Sequence, residues 1–173
     1  LLERVLGPGE LVDGASDLLQ VSAARDVAPS LRHALARELG RLARAAFDAG
    51  LCNDDFAPNN VLVTPVAPRL RLIDFERARL GRGPASARWR AAMLAKLARA
   101  LPDTSTADRL RCVLAWVDGD RIAARALWRA VGAAARTLAR RDAKRAGRLA
   151  TRDGRRLHAV TLPGVSGVAR REF

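Results

Sequence analysis

Two carboxylates and one amide stand at the ends of two short apolar runs. Asp55 and Asn60 precede residues 61–63, and Asp74 directly follows a second run at residues 70–73. Oxygen ligands of this kind suit Mg²⁺, which proteins usually hold with one or two carboxylates together with substrate phosphates. A metal clamp beside a proton acceptor is the minimum needed to move a phosphoryl group onto a hydroxyl. The residue types therefore indicate phosphotransfer, provided that the fold brings them together.

A β-hairpin is the element predicted to do this. Residues 61–63 and 70–73 are short and rich in Val, Leu and Ile, and the segment between them contains two prolines, which predicts a turn. A hairpin folds its outer ends together, so Asn60 and Asp74 are expected within several ångströms of each other. Asp55 would then face the same cleft from the preceding loop.

Each of the three side chains also has a purely structural explanation. Asp55 and Asn60 are residue types that form side-chain turns before a strand. Asp74 could instead form a surface ion pair with Arg77 or Arg79. The spacing alone leaves these alternatives open.

Helices are predicted on both sides of the hairpin, which gives an α+β fold class. Ser30 is expected to cap a helix that ends at Gly50. Three more helices are predicted after Pro84, the last continuing from about Arg121 into a basic tract. Residues 1–6 and 157–162 are strand-like, and the tail beyond Pro163 is expected to be loosely held.

The window containing these residues resembles a known family. Asp55, followed five residues later by Asn60 and an apolar strand, resembles the catalytic loop of protein-kinase-like enzymes. Ile73-Asp74-Phe75-Glu76 resembles their metal-binding DFG element, with Glu76 in place of Gly. Together with a downstream Trp-containing basic helix, the pattern is most similar to the lipopolysaccharide core kinases, bacterial enzymes that phosphorylate Kdo or heptose.

The resemblance implies a role for each residue. Asp55 would accept the proton of the acceptor hydroxyl, while Asn60 and Asp74 would hold Mg²⁺ against the phosphates of ATP. The family usually has His two residues before the catalytic Asp. This chain has Asn53, which can still hydrogen-bond to backbone groups.

The resemblance also implies a division into domains. Residues 1–135 correspond to a kinase-like C-terminal lobe, mainly helical, in which 1–15 form a hinge-like segment. Glu3 and Arg4 would border the adenine site. The chain starts with Leu rather than Met, so we expect a fragment that lacks the N-terminal, nucleotide-covering lobe. Residues 136–173 are expected to be a basic C-terminal extension, partly helical and then loosely held.

The charge is strongly positive, with 31 Lys and Arg against 18 Asp and Glu and a net charge of +13. Between residues 136 and 156 the only acids are Asp142 and Asp153. Such a face attracts anionic lipid or phosphate groups, and a solvated face without a partner is the alternative. Nucleic acid is disfavoured because aromatic residues make up only 4% and Tyr is absent. The residues assigned to this basic patch are Arg136, Arg140, Arg141, Lys144, Arg145 and Arg148.

Other chemistries are largely excluded by composition. Two Cys and two His residues, with no CxxC spacing, cannot form a structural zinc site or a disulfide framework. Both cysteines are expected to be packed, in a protein of the reducing cytoplasm.

The resemblance to the lipopolysaccharide core kinases implies an ATP- and Mg²⁺-dependent phosphotransferase. Its substrate would be a sugar hydroxyl of a lipid-linked glycan, and its location cytoplasmic, peripheral to the inner membrane. The alternative is a catalytically inactive pseudokinase or a basic module that binds membrane or nucleic acid.

Overall fold

The computed structural model describes residues 15–24, 26–53, 55–64, 69–150, 157–162 and 165–170. Within these ranges the chain forms five α-helices and seven short strands, which confirms the predicted α+β class. In chain order the elements are β1 (Ser16–Asp17), α1 (Leu18–Ala23), α2 (Pro29–Asp48), β2 (Leu51–Asn53), β3 (Val61–Val63), β4 (Leu70–Leu72), β5 (Ala78–Leu80), α3 (Ala87–Ala100), α4 (Thr106–Trp116), α5 (Arg121–Ala150), β6 (Leu157–Leu162) and β7 (Val165–Arg170).

The chain divides into two compact units, Leu1–Ala134 and Ala135–Phe173. The first contains α1 to α4 and all of the strands around the candidate site. Its assignment as a kinase-like C-terminal lobe stays a prediction. The strand predicted at residues 1–6 lies outside the described residues.

Helix α2 is the central helix of the first unit. Pro29 occupies its first turn, where the missing N–H group costs nothing because that group would have no partner within the helix. The helix therefore begins before Ser30, and the prediction that Ser30 caps it was wrong; the N-cap is Ala28. At the other end, Gly50 has a φ of 84°, as predicted for a left-handed helix end.

Four aromatic rings meet at the core face of α2. Phe47 is fully buried, and its ring centroid lies 5.2 Å from that of Phe56, 5.0 Å from Trp89 and 5.5 Å from Trp116. Tilted and edge-on contacts of this kind are the preferred geometries of aromatic pairs. Because Phe56 follows Asp55 in sequence, this cluster fixes the loop that carries Asp55 to the body of the protein.

Helices α2 and α4 pack against each other at close range. A Cβ atom added at Gly40 would overlap the backbone carbonyl oxygen of Cys112 on α4. Only glycine allows the two backbones to approach this closely. Burial raises the pKa of the Cys112 thiol to about 12, so this cysteine stays protonated at neutral pH.

The predicted hairpin is present. Strands β3 and β4 pair antiparallel in the register Val61↔Leu72, with β1 added on the other side of β3. A second two-stranded sheet joins β2 to β5 in the register Asn53↔Ala78, and this pairing was not predicted. Together the two sheets hold both ends of the candidate site.

The second unit contains the end of α5 and a hairpin of β6 and β7. The strand predicted at residues 157–162 is confirmed, and it pairs antiparallel with β7 from Leu162↔Val165 to Leu157↔Arg170. The expectation that the tail beyond Pro163 is loosely held was therefore wrong for residues 165–170. The reason is local: a Pro-Gly pair, a common turn signal, separates two runs that each contain β-branched residues.

Among the helices that the structure describes, none combines the length and the apolar character required to cross a membrane.

Candidate active site

Asn53 ends strand β2 and connects the two loops of the candidate site. Its side chain is 4% exposed. The Nδ2 group donates a hydrogen bond to the carbonyl oxygen of Asp74 at 3.2 Å, and Oδ1 accepts one from the backbone N–H of Asp55 at 2.9 Å. The expectation that an Asn at this position still bonds to backbone groups is confirmed.

Asp55 begins the loop that leads to the hairpin. Its carbonyl oxygen accepts a hydrogen bond from Nδ2 of Asn60 at 2.9 Å, while its side chain is exposed. The next residue, Phe56, is 3% exposed and lies in the aromatic cluster. The backbone of Asp55 is thus held from both sides, and its carboxylate faces solvent.

Asn60 lies at the base of the hairpin, at the end of a 3₁₀ turn formed by Pro58–Asn60. Its backbone carbonyl accepts a hydrogen bond from the N–H of Ile73 at 3.0 Å, which extends the β3–β4 ladder by one step. Its side chain is 6% exposed, and Oδ1 accepts a hydrogen bond from Asn59 Nδ2 at 3.2 Å. The predicted meeting of the outer ends of the hairpin is confirmed for the backbone.

Asp74 follows β4 in an unusual backbone conformation. Its φ is 59°, in the left-handed region that Asp tolerates better than most residues do. The side chain is exposed, and Oδ1 accepts a hydrogen bond from the N–H of Glu76 at 3.4 Å. Among the described residues Asp74 forms no ion pair, so the alternative of a pair with Arg77 or Arg79 is not realised there.

These bonds form a circuit that joins Asn53, Asp55 and Asn60 to the more distant loop at Asp74. Asn53 bonds to Asp55 and Asp74, Asp55 bonds to Asn60, and Asn60 bonds to the residue before Asp74. The two amides are buried, whereas the two carboxylates are exposed. The result is a rigid base that presents two acids to solvent.

Comparison with known proteins identifies the family. The family model described as "Lipopolysaccharide kinase (Kdo/WaaP) family" matches residues 9–116. The chain belongs to this family. The resemblance noted in the sequence is thereby confirmed.

A solved structure gives a second comparison. The chain is similar to a structure of WaaP in complex with acyl carrier protein, with a TM-score of 0.61 and 24% sequence identity. The match covers 78% of this chain and 58% of the WaaP chain, so the chain spans well under two thirds of that protein. At this identity the likeness shows the fold alone. No curated protein matches the chain.

The oxygen donors at the base of the hairpin fit the metal that the lipopolysaccharide kinase family implies. Asn60 uses its Nδ2 group on Asp55, which leaves Oδ1 with one lone pair beyond the bond from Asn59. Asp74 offers an exposed carboxylate. Hard oxygen ligands of this type suit Mg²⁺. The described part of the chain has no group of three His, Cys, Asp or Glu residues able to hold a metal.

Other predicted site residues are placed differently. Glu3 and Arg4 lie outside the described residues. All six residues of the basic patch lie exposed on α5 in the second unit. Strand β5, which pairs with the strand carrying Asn53, had no sequence signal beyond three residues of mixed character.

Proposed function

We propose that the chain forms part of an ATP- and Mg²⁺-dependent phosphotransferase that phosphorylates a sugar hydroxyl of a lipid-linked glycan. The observation that carries this proposal is the hydrogen-bond circuit through Asn53, since it fixes the Asp55 loop and the Asp74 loop relative to each other. Phosphoryl transfer depends almost entirely on positioning and electrostatics. Membership of the lipopolysaccharide kinase family supports the reaction class.

Asp55 accepts the proton of the acceptor hydroxyl in this proposal. Its carboxylate is exposed, and its backbone is held by Asn53 and Asn60, so the group keeps a fixed position without losing access to substrate. A positioned carboxylate of this kind contributes roughly 10²–10⁴-fold to a rate.

Asn60 and Asp74 hold the metal. They would place the positive charge of Mg²⁺ beside the transferred phosphate, and that charge would offset the negative charge of the phosphate in the reaction. Asn60 contributes a neutral oxygen from a buried side chain and Asp74 a charged one from an exposed side chain. The backbone of Asp74 is left-handed, and its carbonyl oxygen accepts the hydrogen bond from Asn53.

ATP is the proposed phosphate donor. Nucleotide use is implied by the family, and Glu3 and Arg4 are proposed to border the adenine site through their backbone. Asp55, Asn60 and Asp74 belong to the part of the proposed site that contacts the phosphates of ATP and the acceptor hydroxyl.

The basic patch is proposed to bind anionic lipid headgroups or substrate phosphates at the inner membrane. Its six basic side chains are exposed, and one acid, Asp142, lies among them. Each basic residue near an anionic surface contributes about 1 kcal/mol at moderate ionic strength. The protein would then be peripheral to the cytoplasmic face of that membrane.

The test is transfer of labelled γ-phosphate from Mg-ATP to core glycolipid. Asp55→Asn is expected to lower kcat at least about 100-fold, because it removes the proton acceptor while preserving the backbone bonds. Asp103→Asn, which changes an exposed acid outside the site, is the matched control and should retain full activity. Equal rates for the two variants would refute the role of Asp55.

A second candidate is a catalytically inactive binding protein of the same fold. It is favoured by Asn53, which replaces the His usual at this position. Retained Mg-ATP binding, measured by a rise in Tm that Asp74→Ala abolishes, together with absent transfer to any core glycolipid, would select this candidate.

A further inference from the structure

An apolar groove lies between α4 and the first part of α5, away from the candidate active site. It encloses about 620 Å³. Its floor contains Leu110 and Leu114 from α4 together with Ala124 and Trp128 from α5. Leu110 is 44% exposed and Trp128 39% exposed, although large apolar side chains are usually covered in a folded domain. The exposure shows an apolar surface that no described residue covers.

Arginines form the rim of this groove. Arg121, Arg125 and Arg129 follow one another at intervals of four residues, so they share one face of α5. All three are exposed, and none forms an ion pair with any residue that the structure describes. The helix has no acidic residue before Asp142. Like charges at this spacing destabilise a helix unless an anion lies beside them.

We propose that this groove docks the protein on an anionic phospholipid bilayer. Arginine side chains on an interfacial helix reach toward headgroup phosphates, while Trp and aliphatic side chains enter the boundary of the acyl region. Trp128 lines the groove together with the three arginines, and its amphipathic ring suits such a boundary. Ile122, 82% exposed on the same turn as Arg121 and Arg125, adds a second apolar contact.

The inference deepens the proposed function, since it rests on the proposed location at an anionic membrane. It does not depend on phosphotransfer. It also differs from the proposal for the basic patch, because the groove lies within the first unit and adds apolar contacts to the charged ones.

The experiment measures binding of the full chain to vesicles. Vesicles of phosphatidylglycerol and phosphatidylethanolamine are compared with vesicles of phosphatidylcholine, without nucleotide or acceptor. Replacing Arg121, Arg125 and Arg129 together by Gln should weaken binding to the anionic vesicles about 100-fold. This is the combined loss of affinity expected when three arginines are removed from an anionic surface. The matched control replaces three exposed arginines elsewhere by Gln and should weaken binding much less. These are Arg37, Arg41 and Arg88.

The apolar contacts are tested separately. Trp128→Gln should weaken binding about tenfold, the effect of withdrawing part of a large apolar side chain from the acyl boundary. Leu80→Gln is the control, because Leu80 is 70% exposed on β5 outside the groove. Tryptophan emission should shift to shorter wavelength on anionic vesicles in the native chain, and the shift should vanish in Trp128→Phe.

Four outcomes would overturn the inference. In the first, the groove variants and their controls bind the anionic vesicles equally well. In the second, binding is lost only when the basic patch is neutralised, and in the third the protein binds phosphatidylcholine vesicles as well as it binds anionic ones. In the fourth, the groove binds an acidic amphipathic peptide and the protein binds no vesicle. Phosphotransfer to a detergent-solubilised glycolipid is measured in parallel. If the native chain does not bind anionic vesicles but still transfers phosphate, the docking surface alone is refuted. If the native chain binds the vesicles but transfers no phosphate, the proposed reaction alone is refuted.

Discussion

Replacing Asn53 by Ala tests the circuit that joins the two loops of the candidate site. The change removes a hydrogen bond of 2.9 Å to the N–H of Asp55 and one of 3.2 Å to the carbonyl of Asp74. Each such bond contributes about 1 kcal/mol net, so the free energy of unfolding should fall by about 2 kcal/mol. For a chain of this size that corresponds to a drop in Tm of about 4–8 °C.

The assay combines chemical denaturation with amide hydrogen exchange. Exchange at the Asp55 amide should accelerate about fivefold, the factor that corresponds to loss of about 1 kcal/mol of local protection. The rate of phosphotransfer, measured well below the Tm, should also fall, because the Asp55 loop and the Asp74 loop are no longer held relative to each other. Asn59→Ala is the control: that side chain is exposed and makes a single bond, to Asn60.

Either of two results would refute the reasoning about Asn53. An unfolding free energy within about 0.5 kcal/mol of the native value, the usual range for a neutral surface change, would show that the two bonds contribute little. Unchanged exchange at Asp55 would show that Asn53 does not protect that amide. Either result would remove the observation on which the proposed function depends.

Three further predictions follow from other parts of the structure. Gly40→Ala should lower the free energy of unfolding by about 1–3 kcal/mol in denaturant, because the added Cβ meets the backbone of α4. Gly83→Ala is the control and should leave the stability unchanged, because no atom lies within 4 Å of its added Cβ. The raised pKa of Cys112, about 12, means that the folded state keeps a proton that the unfolded state loses near pH 9. Stability should therefore fall as pH rises from about 9 to 12, and Cys112→Ala should lack this loss in alkaline thermal scans. The Asn53→His variant should retain phosphotransfer activity at pH 8 and lose it below about pH 6.5, because a protonated imidazole has no acceptor for the N–H of Asp55. A pH profile of activity identical to that of the native chain would contradict this prediction.

The hairpin was predictable because its signals are local. Two runs of β-forming residues flank a proline-containing segment in the sequence, and the register in which they pair brings the backbone of Asn60 to Ile73, next to Asp74. The helix at α2 was predictable for a similar reason, since its buried positions repeat at helical spacing. Its first residue was missed because Pro29 starts the helix without a side-chain cap, so Ser30 was the wrong signal.

The second sheet was not predictable from its sequence. β2 and β5 have three residues each and pair across the whole hairpin, so neither is long enough to show an alternating pattern. Asn53 shows the same limitation. An Asn side chain can bond to backbone groups, and this much the residue type predicts. Its partner, the carbonyl oxygen of Asp74, is brought close to Asn53 by the β3–β4 hairpin and by β5, and these long-range contacts are not visible in the local sequence.

The distribution of amides and acids explains how this site can be rigid and charged at once. A buried carboxylate without a partner loses hydration and resists ionisation, whereas a buried amide needs only hydrogen bonds. Asn53 and Asn60 occupy the buried positions, and their bonds to backbone groups are satisfied. Asp55 and Asp74 remain in contact with solvent. Because neither amide titrates, the connection between the two loops does not change with pH, and proton uptake in the proposed reaction is left to Asp55.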